Sequence, residues 1–301
     1  MEKKGKPIKL DFSALRDFVC NNYVRFPQYA YISNDFAVLR SFKLIASSPN
    51  IFGPPYRLNE LRVGVVTSGH GNITINLIDY ELHEGMLVYV KGGSIVQPNT
   101  FSPDFDMEAI SVSDDLLQLL FNGRVPSCFL NDVSNKAICI SQIEIEILQN
   151  MIGTLWAVVH QNDSGSGVIH SLLTAVLCFY ENIDARNITN VVSSTSHERE
   201  VFMNFINLVH QYSKKERKIS FYADKLCFSQ HYLGTLVREA SGTTAKEWIE
   251  RSVIAEAKVM LKNSDMLTYQ ISDDLNFPNV SFFCKFFKRL TGMTPLQYQR
   301  S

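Results

Sequence analysis

The chain has 301 residues, of which 46% are hydrophobic and 20% charged. That is enough apolar material for packed cores and excludes wholesale disorder; at roughly 100–200 residues per domain, the length predicts two domains. The net charge of −1 hides an asymmetry: of 29 Lys/Arg and 30 Asp/Glu, residues 197–301 hold 15 and 11, a net of +4, which leaves 14 and 19, a net of −5, for residues 1–196. Such a split predicts a polyanion-binding module at the C-terminal end, tethered to something else.

Met1–Lys9 is basic, but no apolar segment follows it, since Asp11 and Arg16 interrupt, so no signal peptide is expected. The longest apolar run, Leu172–Tyr180, is broken by Thr174 and is half the length of a membrane span. A soluble, cytoplasmic protein is expected. Cys20, Cys128, Cys139, Cys178, Cys227 and Cys284 form no C-x-x-C pair, and scattered cysteines in a chain of this length predict reduced thiols.

From Tyr29 to Val112 the pattern reads as short strands, at Phe36–Ile45, Leu61–Thr67, Ile73–Ile78, Met86–Val90 and Met107–Val112. Turn signals separate them, among them Ser48-Pro49-Asn50, Gly69-His70-Gly71-Asn72 and Gln97-Pro98-Asn99. This spacing predicts an antiparallel sandwich or barrel. The period then changes. Ile143, Ile147, Leu148, Met151, Ile152, Leu155 and Val159 predict one amphipathic helix over 142–160, and Ile169, Leu172, Leu173, Val176, Leu177 and Tyr180 a second over 168–182. Their apolar side chains exceed what one flank of a small barrel needs, which predicts a surface for a homodimer. Small, polar residues at 187–196 read as a linker, and from Glu198 onward the chain reads as helical. The expected domains are therefore 1–184, a linker at 185–197, and 198–301.

The last segment repeats itself. Tyr222–Ser229, His231–Arg238 and Ser241-Gly242 resemble Ile271–Phe277, Ser281–Lys288 and Thr291-Gly292. The offset is 49 residues before the turn (Leu226 to Leu275) and 50 after it (Gly242 to Gly292). Each copy predicts a short helix with a small residue at a close crossing (Ala223, Ser272) and then a tight turn. An N-cap (Ser229, Asn279) starts a second helix, and a glycine ends it. That is a helix-turn-helix, twice.

Over residues 200–300 the chain resembles the double helix-turn-helix domain of AraC/XylS-type bacterial transcription regulators. The resemblance rests on Leu226, Ser229, Tyr232-Leu233 and Gly242, then on Trp248, Arg251, Ala257 and Leu261 in a long linking helix. It continues with Ile271, Leu275, Phe277 and Phe282-Phe283, and with the run from Phe286 to Tyr298. Asn276 stands where the family usually has Gly, and Val237 where it usually has Phe. Asn is the next-best residue for a left-handed turn.

In the first reading helix Leu233, Leu236, Val237 and Ala240 form the expected inward stripe, leaving Gln230, His231, Thr235 and Arg238 to face DNA. Gln230 suits adenine, and Arg238 suits guanine or phosphate. In the second, Phe283, Phe286, Phe287 and Leu290 are the expected core. Ser281, Cys284, Lys285, Lys288 and Arg289 are the expected contacts, with Arg251 from the linking helix. Phe282 has no place in the stripe, and is read as packing under a neighbouring helix or touching a thymine methyl. The linking helix, Thr244 to Lys262, would be roughly 28 Å long against the roughly 34 Å of one DNA turn, so one chain could read successive major grooves across roughly 17–20 base pairs.

The strand-rich part resembles the cupin-like regulatory domain of the same family through Gly69–Ile75, Leu82–Val90 and Gly93–Pro98. The expected fold is thus α+β and multidomain: an antiparallel cupin-like β-barrel with a helical hairpin, then an all-α domain. The rival reading is a cupin-type metal-dependent enzyme with an accessory helical domain. It lacks a metal constellation, since His70 and His83 are thirteen apart, there is no H-x-H, and Gln97 stands where a His is common. No cofactor, metal or catalytic residue is expected. A barrel mouth can instead hold a small effector, with Tyr29, Tyr31, Phe36, Arg40, Tyr56, Arg62 and Tyr89 as candidate liners. The expected partners are double-stranded promoter DNA, a small effector, a second copy of the chain, and RNA polymerase if the protein activates.

Overall fold

The computed structural model describes residue 12 and residues 28–46, 53–130, 136–161, 165–191, 197–263 and 266–300. The chain divides into two compact units, one holding Arg57–Ser193 with most of the chain before it, the other Ser194–Ser301, with which Pro54–Tyr56 is grouped.

The first unit is built on two sheets. Strands β1 (Ala30–Ile32), β2 (Phe36–Leu39), β4 (Leu61–Ser68), β7 (Met86–Val90), β9 (Asp106–Val112) and β10 (Lys136–Cys139) form one, in the order β1-β2-β9-β4-β7-β10. Strands β3 (Tyr56–Arg57), β5 (His70–Ile75), β6 (Ile78–His83) and β8 (Ile95–Phe101) form the other, in the order β3-β8-β5-β6. Pairings are antiparallel in both, as the alternating runs imply.

Several strand and turn positions differ from expectation. The first strand stops at Leu39, and Lys43–Ala46 is a single helical turn, α1. The Asp106 carboxylate accepts from the backbone N–H of Phe42 (2.6 Å) and Lys43 (3.1 Å) and turns the chain there. The run Ile73–Ile78 is two strands, because Asn76 (φ 47°) and Leu77 (φ 75°) make a two-residue hairpin turn. The Asn76 side chain fixes that turn, accepting from the backbone N–H of Ile95 (2.8 Å). Gln97-Pro98-Asn99, read as a turn, lies inside β8, where the register slips opposite Asn72/Ile73 and so tolerates a proline. The turn expected at Gly69–Asn72 narrows to Gly69 (φ +73°), where a Cβ would meet the Phe105 backbone at 2.7 Å.

Two short helices, α2 (Asp114–Leu120) and α3 (Ser127–Leu130), precede the hairpin of α4 (Gln142–Val159) and α5 (Ser166–Val191). Helix α4 starts on a capping box between Ser141 and Glu144. Val38, Leu61, Val63, Leu87, Tyr89, Ile110 and Val112 form one core with Leu148, Ile152 and Leu155 of α4 and with Leu173, Val176, Leu177, Tyr180 and Ile183 of α5. The excess of apolar side chains on the hairpin therefore has an internal use. Leu148 and Leu173 are 1% and 0% exposed, and Met151, Leu172 and Phe179 pack against the same core. Ile143 and Val168 remain exposed.

Helix α5 runs on to Val191, so residues 185–191, expected in the linker, are helical. Ile183 and Asp184 are buried, Arg186 pairs with Glu144 (2.5 Å), and Asn187 donates to the Ile183 carbonyl (2.9 Å). The polar composition of 184–187 masks a helical period that Ile183 continues. Residues 192–196 lie outside the described residues. The stretch Ser166–Asn187 is long and apolar enough to cross a membrane; its inward side is the core just named.

The second unit is helical: α6 (His197–Tyr212), α7 (Ile219–Lys225), α8 (Gln230–Ser241), α9 (Ala245–Asn263), α10 (Thr268–Asp274), α11 (Val280–Thr291) and α12 (Pro295–Arg300). Around α9, Ile254, Ala257 and Leu261 share a core with Ile271, Leu275, Phe283 and Phe287. On the other side Phe205 and Tyr222 meet edge-to-face (5.7 Å), as do Phe202 and Trp248 (5.5 Å). The α+β, two-part architecture is the one the sequence implies.

Candidate nucleic-acid interface

The two helix-turn-helix units, α7–α8 and α10–α11, share the same bonds on either side of the turn, although the second turn is one residue longer. Ala223 and Ser272 are fully buried where the helices cross, and their carbonyls accept from the N–H of Phe228 and Phe277, both at 2.9 Å. Cys227 (φ 59°) and Asn276 (φ 53°) hold the left-handed position of each turn. Ser229 Oγ then accepts from Tyr232 N (3.2 Å) and Asn279 Oδ1 from Phe282 N (3.1 Å), so each second helix starts on the expected cap. Gly242 (φ 68°) and Gly292 (φ 77°) end those helices, donating to the carbonyls of Arg238 (2.8 Å) and Lys288 (2.9 Å).

The repeat extends past the glycines, which sequence comparison missed. Ser241 Oγ and Thr291 Oγ1 donate back to Val237 and Phe287, at 2.7 and 2.8 Å. Thr244 and Thr294 cap the following helices with Glu247 and Gln297 as partners, at 3.0 and 2.9 Å from the backbone N–H. The spacing of 50 carries through to Trp248 and Tyr298.

Most predicted DNA contacts are available on the surface. Gln230, His231, Thr235 and Arg238 are exposed on α8, and Ser281, Lys285, Lys288 and Arg289 on α11. Leu233, Leu236 and Val237 are buried, and so are Phe283 and Phe287. Ala240 and Leu290 are exposed rather than core, because both sit in the last turn, beyond the reach of the packed helices. Phe286 is half-buried, its ring 5.2 Å from Phe277.

Three of the expected contacts also interact within the domain. Cys284 is half-buried and packs against the α9–α11 core, with burial pushing its thiol pKa up, so it does not lie open opposite the core. Arg289 pairs with Glu250 of α9 (2.9 Å) and is tied to the domain. Arg251 is exposed, its guanidinium 5.0 Å from the Trp248 ring. Phe282 does not pack under a neighbour; it is 59% exposed.

The candidate effector residues are not brought together. Tyr31, Phe36, Arg40 and Tyr89 belong to the sheet face that α4 and α5 cover, whereas Arg62, one residue from Leu61 and Val63, points to the opposite face. Tyr31 and Phe36 touch (5.6 Å), Tyr29 is 36% exposed, and Tyr56 is half-buried in β3. Tyr89 is fully buried and stacks on Tyr180 (4.8 Å). Neither arginine is an open cationic site. Arg40 pairs with Glu108 (3.0 Å) and reaches the Gln149 carbonyl of α4 (3.4 Å), and Arg62 pairs with Glu60 (3.5 Å). Burial raises the Glu108 pKa, and Arg40 opposes that. An open cleft of about 430 Å³ between α2 and α5 is lined by Leu119, Leu120, His170, Ser171, Thr174 and Ala175, and by none of the seven candidates. His70 and His83 are cross-strand partners, and among the described residues no group of three or more His, Cys, Asp and Glu is placed to hold a metal.

A family profile described as a helix-turn-helix domain matches residues 222–301. The chain is similar to an uncharacterized HTH-type transcriptional regulator of Bacillus subtilis (strain 168), YtdP, at 27% identity over 97 residues, 32% of this chain and 13% of that protein. It is similar to the HTH-type transcriptional activator RhaR of Escherichia coli (strain K12), at 30% identity over 86 residues, 27% of this chain and 30% of that protein. Among solved structures it is similar to ToxT from Vibrio cholerae, at 15% identity and a TM-score of 0.40, covering 81% of this chain and 91% of that one. The chain spans less than a third of the length of these curated relatives. The duplicated turn, the matched profile and the run from Phe286 to Tyr298 together show that this chain carries, over residues 222–301, a DNA-binding helix-turn-helix domain of the AraC/XylS type.

Proposed function

We propose that the protein is a sequence-specific transcriptional regulator that sets α8 and α11 into successive major grooves of one promoter site. The observation that carries this reading is the repetition of the two units: each has a side-chain cap, a left-handed turn residue and a glycine stop, so that two helices are presented in the same local setting. Helix α9, with 19 residues, is about 28 Å long, close to the roughly 34 Å between successive turns of the groove. Gln230, His231, Thr235, Arg238, Arg251, Ser281, Lys285, Lys288 and Arg289 are the proposed contacts.

In this reading the first unit is regulatory, and the second unit, whose described residues begin at His197, binds DNA. The first unit acts by holding a small effector or by joining a second copy, for which exposed Ile143 and Val168 offer apolar surface. The protein has no catalytic role and works in the cytoplasm, meeting RNA polymerase where it activates. Selection from random-sequence duplexes with the full chain tests the proposal. A recovered site of roughly 17–20 base pairs with two read segments one turn apart is expected; failure to enrich any sequence would overturn it. Sedimentation of the same protein at micromolar concentration tests the second copy.

A further inference from the structure

Tyr232 and Phe282 are exposed aromatic residues, 46% and 59%, at one and the same position of the two reading helices. Each is the third residue of its helix, 50 apart, and each gives its backbone N–H to the cap that starts the helix. The cap bond therefore fixes the same place for each residue in its helix. Packing does not require an aromatic there, since the next residue, Leu233 or Phe283, fills the core and is fully buried. The Tyr232 ring lies 5.1 Å from Phe228. Among the described residues Phe282 makes no ring contact. Other exposed apolar residues of the second unit are not duplicated: Leu267, Tyr269, Leu290, Met293 and Leu296 correspond to Lys218, Ser220, Ala240, Thr243 and Lys246 in the first. A protein partner would have no need of the same aromatic on both copies. A ligand that both helices meet in the same way would, and duplex DNA is that ligand.

We propose that Tyr232 and Phe282 read thymine through its 5-methyl group, one in each half of the site. This rests on the DNA-binding reading above. The amino-terminal turn of a reading helix lies nearest the base edges, and the thymine methyl is the one apolar group there for an aromatic ring to cover. Thr235 and Lys285, both exposed, come three residues after Tyr232 and Phe282 and so share their side of each helix.

The test uses full-length protein and its selected duplex. Each thymidine is replaced in turn by deoxyuridine, which removes only the methyl. At one position in each half, the replacement should weaken binding about fourfold, the worth of one buried methyl. The loss in one half should vanish in Phe282→Ala and the loss in the other in Tyr232→Ala; Phe282→Ser serves as a second variant if the first does not fold. Equal affinity for every deoxyuridine duplex, or a loss that persists in both Phe282 variants, would overturn the proposal while leaving DNA binding intact. If the wild-type chain selects no sequence, both fall together.

Discussion

The Arg217 guanidinium lies 3.7 Å from the centre of the Phe277 ring and donates to the Leu275 carbonyl. Arg217 belongs to the connector before the first helix-turn-helix, and Phe277 and Leu275 to the turn of the second. Asn276 adds a bond from its side chain to the Lys215 carbonyl (3.1 Å), and Lys214 pairs with buried Glu256 of α9 (3.3 Å). The two reading units are thus braced against each other by a short charged segment as well as by α9. Burial lowers the Arg217 pKa, the mark of a cation held away from water.

Removing that brace should cost stability and registration together. Arg217→Ala loses a charged hydrogen bond and a cation–π contact, about 2 kcal/mol. Arg217→Lys should recover little, because an ammonium cannot lie flat on the ring and donate to the carbonyl as a planar fork does. Urea denaturation of the full chain measures the first effect. Footprinting should show protection fading over one half of the site before the other. A variant with wild-type stability and an even footprint would leave the brace without a role.

The left-handed turn gives the next expectation. Cys227 carries a side chain at φ 59°, where a Cβ is disfavoured. Cys227→Gly should stabilise the domain by about 0.5–1 kcal/mol, and Asn276→Ala should destabilise it by about 1 kcal/mol or more, since Ala tolerates the angle poorly and drops the bond to Lys215. Midpoints of chemical unfolding decide both; an unchanged or lower midpoint for Cys227→Gly would show that its side chain has a packing role.

Much of this domain was legible because its signals are local. Caps, stops and left-handed positions depend on a few neighbouring residues, so Ser229, Asn279, Gly242, Gly292 and Asn276 could be placed from the chain alone. Cys227 was within reach too: the 49-residue offset sets it opposite Asn276. Contacts between distant segments were not legible. The Arg40–Glu108 pair spans 68 residues, and the side chain runs so close to Gly153 that a Cβ there would stand 3.2 Å from it. Seen in the chain, Arg40 resembled an anion receptor; folded, it is a strut between sheet and helix. Tyr89 was likewise expected at a barrel mouth, because strand alternation tells which residues share a face but not which face the helices cover.

That strut predicts its own phenotype. Arg40→Ala should leave Glu108 buried and unpaired, at a cost of about 3 kcal/mol, with Arg40→Ala/Glu108→Gln less damaging than the single change. Two unfolding curves suffice. If the double variant is the less stable, the pair does not act as described.

Alkaline pH probes the C-terminal unit. Burial raises Tyr298 from 10.0 to about 12. A phenol whose folded pKa is raised contributes stability that is complete below pH 10 and is lost as pH rises towards 12. Tyr298→Phe removes that ionisation, so its stability should fall less steeply over this window. Parallel losses in variant and parent would assign the alkaline sensitivity to other tyrosines.

The last expectation concerns Arg238 and Lys288, which occupy equivalent, exposed positions in the last turns of α8 and α11. Equal placement does not force equal roles, because a guanidinium can pair with two acceptors of guanine whereas an ammonium acts as a point charge. Lys288→Ala should weaken binding to all sequences and reduce the salt dependence by about one unit of slope. Arg238→Ala should relax preference at one or two positions, at about 1–3 kcal/mol on the preferred site. The informative variant is Arg238→Lys, which keeps the charge. If Arg238 reads guanine, the variant retains the parent's salt slope and loses the base preference. If Arg238 only meets phosphate, slope and preference both stay as in the parent, and the base-reading role is withdrawn. Binding isotherms at several salt concentrations on selected and scrambled duplexes separate the two outcomes.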